Sequence, residues 1–366
     1  MALGISGSNG GISAHRRAFG EDDLALLTTA PGASVKRLGF PMEVSYFINN
    51  SCNLQCKHCY IGLESDSNCL SADEWQKVFI DCIALGALTF GNVGKEPTLA
   101  WKKTLKILRF FKEQRALVPR LRYGIVTNGV TLSGKKIDEL AEANPTYIDM
   151  SFDGTETVHD SIRGNGMYRR TFENLSKFPE ELKQRVFVSF TANYQNLRVF
   201  ADMLDDLYGI GIRNFLISPY VSTEVGTNDG WKELLVGDGL LAAFAHVLRR
   251  TDNIVQWGRY ENLQLYIKSD YMTSRGLMDE LVKRGSIRKD QLMIDDYGVL
   301  FNQYQFGSNS LFFNYIPFDD TFIRSVRIGH DGFVSSCHAM FFNDAKYHDL
   351  AIGNVRNIPI REILHR

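Results

Sequence analysis

Short apolar runs alternate with longer amphipathic runs between Met42 and Val221. The apolar runs are rich in β-branched and aromatic residues, as buried strands are, and they read MEVSYFIN, ALTFGNV, RYGIVTNG, YIDMSFDG, RVFVSFTAN and NFLISPYV. The clearest helix between them is SADEWQKVFIDCIALG, in which Ser71 and Glu74 form a capping box. Alternating strands and helices predict an α/β fold with a parallel sheet and right-handed crossovers.

Polar residues follow nearly every predicted strand. The motifs are a cysteine-rich loop, then GKEP, TNG, SFDG, TAN and SPY, in chain order. In a closed or partly closed βα barrel the carboxyl ends of the strands share one face, where the sites of such folds are built. The six motifs are therefore expected to converge on one cavity.

The rest of the chain divides into three further segments. Residues 1–40 are rich in Gly, Ser and Ala without a clear period and predict a flexible N-terminal extension, followed by the barrel core at 41–222. Residues 223–325 begin with a predicted helix, VGDGLLAAFAHVLRR, and continue with an aromatic-rich stretch. This stretch is expected either to line a substrate cavity or to cover the barrel mouth or form a second core. Residues 326–366 predict a small β-rich module with a hairpin turning at Asp331 and Gly332.

Composition narrows the class of partner. The chain has 366 residues, 44% of them apolar, and a formal net charge of -1, which gives no reason to expect nucleic acid or a membrane surface as partner. No apolar run is long enough to span a bilayer, and the start lacks the apolar segment of a secretory signal. A cytoplasmic protein is expected. Clustered cysteines there are more often metal-binding or catalytic than disulfide-bonded.

Three of the six cysteines lie in SCNLQCKHCY, with the spacing C-x3-C-x2-C. Thiolates of Cys52, Cys56 and Cys59 can ligate three irons of a [4Fe-4S] cluster and leave a fourth iron open for a small molecule. The alternative is a structural Cys3His zinc site with His58 as the fourth ligand. His58 is a poor candidate because it lies between two of the cysteines.

The cysteine loop resembles the signature of the radical S-adenosylmethionine (radical SAM) enzymes, and the strand-end motifs follow in the order of that family from about residue 42 to 221. The resemblance implies a partial (β/α)6 TIM-like barrel with a small C-terminal β-rich cap. It also implies that the open iron binds S-adenosylmethionine, whose reductive cleavage gives a 5'-deoxyadenosyl radical that abstracts hydrogen from a substrate. The electron donor would be a reductase such as flavodoxin or ferredoxin.

The same resemblance assigns cofactor contacts to the strand-end motifs. GKE stands where the family usually has Gly-Gly-Glu, so Lys95 replaces a glycine. Arg163 is a candidate partner for the carboxylate of the cofactor, and Ile217 lies where the family cradles adenine. The full set of expected cofactor-binding residues is Gly94, Lys95, Glu96, Asn128, Ser151, Asp153, Arg163 and Ile217, with weaker positions at Thr127, Gly129, Thr191 and Asn193.

Several of these residues also have an ordinary structural interpretation. Turn residues such as those of TNG and SFDG close strands in many proteins, and a surface arginine needs no ligand. His159 is expected to make local hydrogen bonds in a loop rather than to act as a general base. Cys82 lies on the apolar stripe of its helix and predicts a buried thiol, whereas Cys69 is left unassigned.

The C-terminal segment RIGHDGFVSSCHAMFF resembles the SPASM or twitch modules of one branch of the family, which carry auxiliary iron-sulfur clusters. Here the segment contains a single cysteine, Cys337, so a degenerate module without a cluster is expected. Without an auxiliary electron acceptor, a redox-neutral reaction such as epimerisation is favoured, with Cys337 as the thiol that returns hydrogen to the substrate.

The expected role is the tailoring of a natural product, with a sugar-containing small molecule or a peptide as substrate. One alternative is a radical enzyme with a different outcome, which would be the crosslinking of a peptide, some other peptide maturation, or dehydrogenation. The alternative from outside enzymes is a zinc-stabilised binding protein.

Overall fold

The computed structural model describes residues 16–18, 42–59, 61, 68–193, 195–220, 259–270, 279, 282–283, 292–295, 297, 299–316, 325–335 and 351–364. In this part of the chain fourteen strands form one sheet. The strands are β1 (Arg16–Ala18), β2 (Met42–Tyr46), β3 (Ala87–Asn92), β4 (Arg122–Thr127), β5 (Tyr147–Ser151), β6 (Val186–Ala192), β7 (Asn214–Pro219), β8 (Gln264–Asp270), β9 (Met293–Asp295), β10 (Leu300–Phe306), β11 (Asn309–Ile316), β12 (Ser325–Ile328), β13 (Phe333–Ser335) and β14 (Gly353–Asn354).

All six strands predicted between residues 42 and 221 are present and parallel, which confirms the predicted α/β class. The sheet order is β1-β9-β10-β11-β8-β7-β6-β5-β4-β3-β2-β12-β13-β14, with an edge strand at each end, so the barrel is partial and does not close. Strands β8, β11 and β12 extend the parallel region, and antiparallel strands complete both edges.

Helices lie between successive parallel strands, as crossover connections require. The described helices are α1 (Ala72–Ala84), α2 (Trp101–Leu117), α3 (Lys135–Ala143), α4 (Glu156–Arg163), α5 (Met167–Ser176), α6 (Glu180–Lys183), α7 (Phe200–Gly209) and α8 (Ile360–Ile363). Helix α1 begins with the predicted capping box, in which Ser71 and Glu74 each bond the backbone of the other. Cys82 is buried on its apolar stripe, as predicted.

The sheet has two faces with different roles. Residues such as Ile148 and Met150 of β5 belong to the main core, which they share with the helices. Alternation along each strand turns the intervening residues to the opposite face, which we call the inner face. The inner face carries a separate cluster made of strand residues: Tyr147, Phe187, Leu216, Tyr266, Phe301 and Phe312, with Met293 packed against it.

Five of the described strands were not predicted from the sequence. The aromatic-rich stretch contains four of them, β8, β9, β10 and β11, and its aromatic residues lie on both faces of the sheet. Strand β1 lies inside the expected flexible extension and pairs with β9. The predicted helix at 236–250 lies outside the described residues. The predicted hairpin is present as β12 and β13 and is followed by β14 and α8.

No described helix is long and apolar enough to cross a membrane.

Candidate functional site

The cysteine loop follows β2 at the carboxyl ends of the parallel strands. Cys52 and Cys56 are half-buried, and Cys59 is exposed. The loop is fixed by backbone bonds, from the Cys59 amide to the Cys56 carbonyl at 3.0 Å and from the Lys57 amide to the Ile162 carbonyl at 3.0 Å. The second bond attaches the loop to the last turn of α4, so the position of this helix determines where the thiols lie.

Burial favours the protonated form of Cys52 and Cys56, which must lose their protons to bind metal. Burial raises the pKa of the Cys56 thiol to about 11, the charge of Arg163 opposes the rise, and the nearby Cys59 and Cys52 add to it. Burial also raises the pKa of Cys52. Because metals bind thiolates, loading this loop would release protons.

His58, the fourth ligand in the zinc alternative, faces other side chains in the structure. Among the described residues, no group of three or more His, Cys, Asp or Glu side chains is arranged to hold one metal ion. His58 turns its ring towards two neighbours, with Nδ1 at 3.8 Å from an oxygen of Asp153 and Nε2 at 3.4 Å from Nη2 of Arg163. In a [4Fe-4S] cluster each thiolate binds its own iron, so the thiolates stand further apart than around one zinc ion.

An ion pair lies beneath the cysteine loop. Nε of Arg163 donates to Oδ2 of Asp153 at 2.5 Å, and both side chains are buried. Nη1 of Arg163 lies 3.8 Å from Sγ of Cys56. Burial alone would raise the pKa of Asp153, but the charge of Arg163, with smaller contributions from His58 and His159, holds it below its usual value.

Asp153 and Arg163 were both predicted to contact the cofactor, and that contact stays a prediction. In the structure they bind each other, and Arg163 also contacts the cysteine loop. The reason is that α4 begins just after β5 and ends beside the loop, so its last residue returns to the strand end that precedes it. His159 lies on the same helix rather than in a loop. Its Nδ1 accepts a hydrogen bond from the Asp153 amide, a local bond of the kind predicted.

Glu96 connects three strand ends. Its Oε1 accepts from the hydroxyls of Thr98 at 2.6 Å and Thr127 at 2.7 Å, and from the Thr98 amide at 3.0 Å. Its Oε2 accepts from the Asn128 amide at 2.8 Å. Its own amide donates to the Ser51 carbonyl at 3.0 Å. Oε2 therefore accepts fewer hydrogen bonds than Oε1 and retains capacity for another donor.

Gly94 and Lys95 show what the GKE sequence requires of the backbone. A Cβ on Gly94 would lie 1.7 Å from the ring of Phe47, so only glycine fits the close approach. Lys95 has φ of 57°, in the left-handed region that glycine adopts freely. The lysine therefore occupies a backbone conformation suited to the glycine that it replaces.

The remaining predicted residues lie at neighbouring strand ends. Asn128 donates to Oδ1 of Asn53 in the cysteine loop at 2.9 Å, a contact that the sequence did not reveal. Ser151 and Thr191 are half-buried at the ends of β5 and β6. Asn193 is buried and accepts bonds from the next turn.

Ile217 and Cys337 are the last two predicted site residues. The side chain of Ile217 belongs to the helix-side core, because alternation turns Leu216 rather than Ile217 to the inner face. The predicted contact of Ile217 with adenine, which would then be made by its backbone, stays a prediction. Cys337 lies outside the described residues.

The profile of the Radical SAM superfamily matches residues 46–207, and the chain contains a radical SAM domain. The match covers the cysteine loop and the strand ends through β6, together with α7. Radical SAM enzymes use a [4Fe-4S] cluster and S-adenosylmethionine, the two cofactors expected from the sequence.

Two curated relatives are similar over part of their length. The PqqA peptide cyclase of Rhodopseudomonas palustris is 28% identical over 177 residues, which are 48% of this chain and 45% of that protein. The sporulation killing factor maturation protein SkfB of Bacillus subtilis is 24% identical over 198 residues, 53% of this chain and 46% of that protein. The chain thus spans less than half the length of these relatives.

The fold is similar to that of a solved structure. SuiB of Streptococcus suis, crystallised with S-adenosylmethionine, aligns with a TM-score of 0.65 at 16% identity, over 90% of this chain and 67% of that chain. SuiB has also been crystallised with its precursor peptide SuiA. The likeness extends well beyond the family match and includes most of the described sheet.

Proposed function

We propose that this chain is a radical SAM enzyme that modifies a peptide, forming a bond within it or otherwise maturing it. The observation that carries the substrate class is the similarity to PqqA peptide cyclase over 177 residues, supported by the similarity to SkfB. The first relative is named for action on a peptide and the second for the maturation of a killing factor, and neither is named for action on a sugar.

The residues of the cysteine loop and those of the strand ends have separate roles. Cys52, Cys56 and Cys59 would hold a [4Fe-4S] cluster, which with S-adenosylmethionine supplies a 5'-deoxyadenosyl radical when bound. Arg163, held by Asp153, keeps positive charge next to Cys56 and so favours its thiolate. Oε2 of Glu96 can accept a hydrogen bond from the amino group of S-adenosylmethionine.

The reaction subtype follows the relatives rather than the cysteine count. Epimerisation was favoured because only Cys337 follows Cys82 in the chain, but the names of the relatives support peptide modification instead. The two outcomes differ in mass. Forming a bond between two carbons would remove two hydrogens from the peptide, one as an atom taken by the 5'-deoxyadenosyl radical and one as a proton, with its electron passing to the [4Fe-4S] cluster. Epimerisation would leave the mass unchanged.

Anaerobic purification and a cleavage assay test the radical chemistry. The protein should carry about four irons per chain and, with dithionite as reductant, convert S-adenosylmethionine to 5'-deoxyadenosine. Cys56→Ala should lose both properties, whereas Cys82→Ala, which removes a buried thiol outside the loop, should keep them. A colourless wild-type protein with one zinc ion would overturn the enzyme and support the zinc-stabilised binding protein.

Co-expression with a library of short genetically encoded peptides tests the substrate class. Mass spectrometry should find peptides that have changed mass or gained a crosslink in the presence of wild-type protein and not in the presence of Cys56→Ala. If 5'-deoxyadenosine forms but no peptide is altered, the peptide substrate is the part of the proposal that fails.

A further inference from the structure

The inner face of the sheet carries a buried carboxylate that the proposed chemistry does not use. Asp149 lies in β5 between Tyr147 and Ser151, and alternation turns all three to the inner face. The side chain is 3% exposed. It receives a hydrogen bond from Ser189 on the neighbouring strand. Its Oδ1 is buried and has no hydrogen-bond partner in the structure.

Leaving this oxygen unsatisfied is unfavourable. A buried carboxylate oxygen that lacks a donor loses its hydration without compensation, so such groups are normally paired. Burial raises the pKa of Asp149 to about 6, while the bond from Ser189 and the charges of Lys268 and Arg163 oppose the rise. At neutral pH the group is still mostly ionised. A buried negative charge with an unfilled hydrogen-bonding position is typical of a binding site.

The surroundings favour a positively charged nitrogen as the missing donor. The same face holds the rings of Tyr147, Tyr266 and Phe312, the last two stacked with centroids 4.6 Å apart. Aromatic faces attract cations, and a carboxylate repels anions. Lys268, on the same face of β8, attracts the carboxylate from a distance and would compete with a bound cation.

The position on the strand allows access. Ser151, the next inward-facing residue of β5 towards its carboxyl end, is half-buried, and so is Thr191 on β6. Lys268 is also partly exposed. The solvent-accessible part of the inner face therefore begins one inward position from Asp149, on the side where the cysteine loop lies.

We propose that Asp149, held by Ser189 and flanked by the aromatic cluster of the inner face, forms a subsite for a basic side chain of the peptide substrate, a lysine ammonium or an arginine guanidinium. The inference rests on the proposed function for the identity of the ligand as a peptide. The carboxylate orients the substrate and takes no part in generating the radical.

Direct binding of two matched probes tests this subsite without turnover. The probes are acetyl-Gly-Lys-Gly-amide and its norleucine analogue, which keeps the alkyl chain and removes the charge. Calorimetry with the iron-loaded protein and S-adenosylmethionine at pH 7.5 should show tighter binding of the lysine probe. Asp149→Asn should weaken that probe about tenfold or more and leave the norleucine probe unchanged.

A second variant and a control separate binding from structural damage. Lys268→Met removes the competing charge and should tighten the lysine probe, a change opposite in direction to that of Asp149→Asn. Asp206→Asn removes a carboxylate that binds Tyr168 on the helix side, and it should change neither probe.

The subsite is overturned if wild-type protein binds the two probes equally, or if Asp149→Asn leaves the preference for lysine intact. This result is distinct from failure of the proposed function. If the protein prefers the lysine probe but alters no peptide, the subsite stands and the proposed reaction fails. If it modifies peptides without preferring the lysine probe, the proposed reaction stands and the subsite fails.

Discussion

Arg163 donates from Nε to Oδ2 of Asp153 at 2.5 Å, and this ion pair is buried directly under the cysteine loop. The pair joins the end of β5 to the end of α4. Since the same guanidinium also lies 3.8 Å from Sγ of Cys56, it couples the fold of the barrel to the geometry of the loop. Stability and metal loading should therefore depend on the same two residues.

Arg163→Met should destabilise the protein strongly, because it leaves the Asp153 charge buried without its partner. Breaking a buried pair from one side costs about 3–5 kcal/mol, measurable as a lower midpoint of urea unfolding. The iron content after reconstitution should fall as well, because the charge beside Cys56 is lost.

Arg169→Met is the matched control for this change. Arg169 pairs with Glu156 at 3.6 Å, but both side chains are well exposed. Exposed pairs contribute about 0–1 kcal/mol, so this variant should unfold close to wild type. Equal effects of the two substitutions would show that the buried pair has no special role.

The free energy of unfolding of His159→Asn should depend less on pH, below pH 6.5, than that of the wild-type protein. Burial lowers the pKa of His159 from 6.5 to about 4, with Arg163 contributing in the same direction. The unfolded chain therefore binds the proton first, and stability is lost as pH falls from 6.5 to 4, by about 3 kcal/mol. Asparagine offers an oxygen to the Asp153 amide and does not titrate.

Urea unfolding at several pH values measures the slope for each protein. His58, whose pKa burial also lowers to about 4, still titrates in the variant, so the slope should shrink rather than vanish. An unchanged slope would contradict the role assigned to His159.

Lys95→Gly should stabilise the protein. Lys95 has φ of 57°, and holding a side chain in this region costs about 1–2 kcal/mol. Glycine removes that strain, but it also gives the unfolded chain greater conformational freedom, which offsets part of the stabilisation. The free energy of unfolding should therefore rise by about 1 kcal/mol. Asn144→Gly is the control, because asparagine tolerates its φ of 56° and should gain less.

The sequence predicted the parallel strands well because each one is a short apolar run between polar turns. It did not predict β8 to β11, because aromatic residues on both faces remove the period that distinguishes a strand from a cavity lining. The cysteine spacing was local and could be recognised. The partner of Arg163 could not be recognised from the sequence, because its pairing with Asp153 depends on where α4 ends relative to β5.

Asp149 was missed for a related reason. A polar residue inside YIDMS is visible in the sequence, but the sequence does not show which face is enclosed or which strand supplies a donor. Register with β6 pairs Asp149 with Phe187 and Ser151 with Ser189, so Ser189 bonds Asp149 diagonally, and that register is a property of the whole sheet.

Asp149→Asn should make the protein more stable at neutral pH, although it should impair binding of the lysine probe. Burial raises the pKa of Asp149 from 3.8 to about 6, so the folded protein holds the proton more tightly than the unfolded chain. Wild-type stability therefore falls as pH rises from 3.8 to 6, by about 3 kcal/mol. Asparagine does not ionise, so the variant does not lose stability in this way. Urea unfolding should give the two proteins similar free energies of unfolding near pH 4 and a higher value for the variant at pH 7. A variant that is less stable at pH 7 would mean that the carboxylate stabilises the fold rather than binding a ligand.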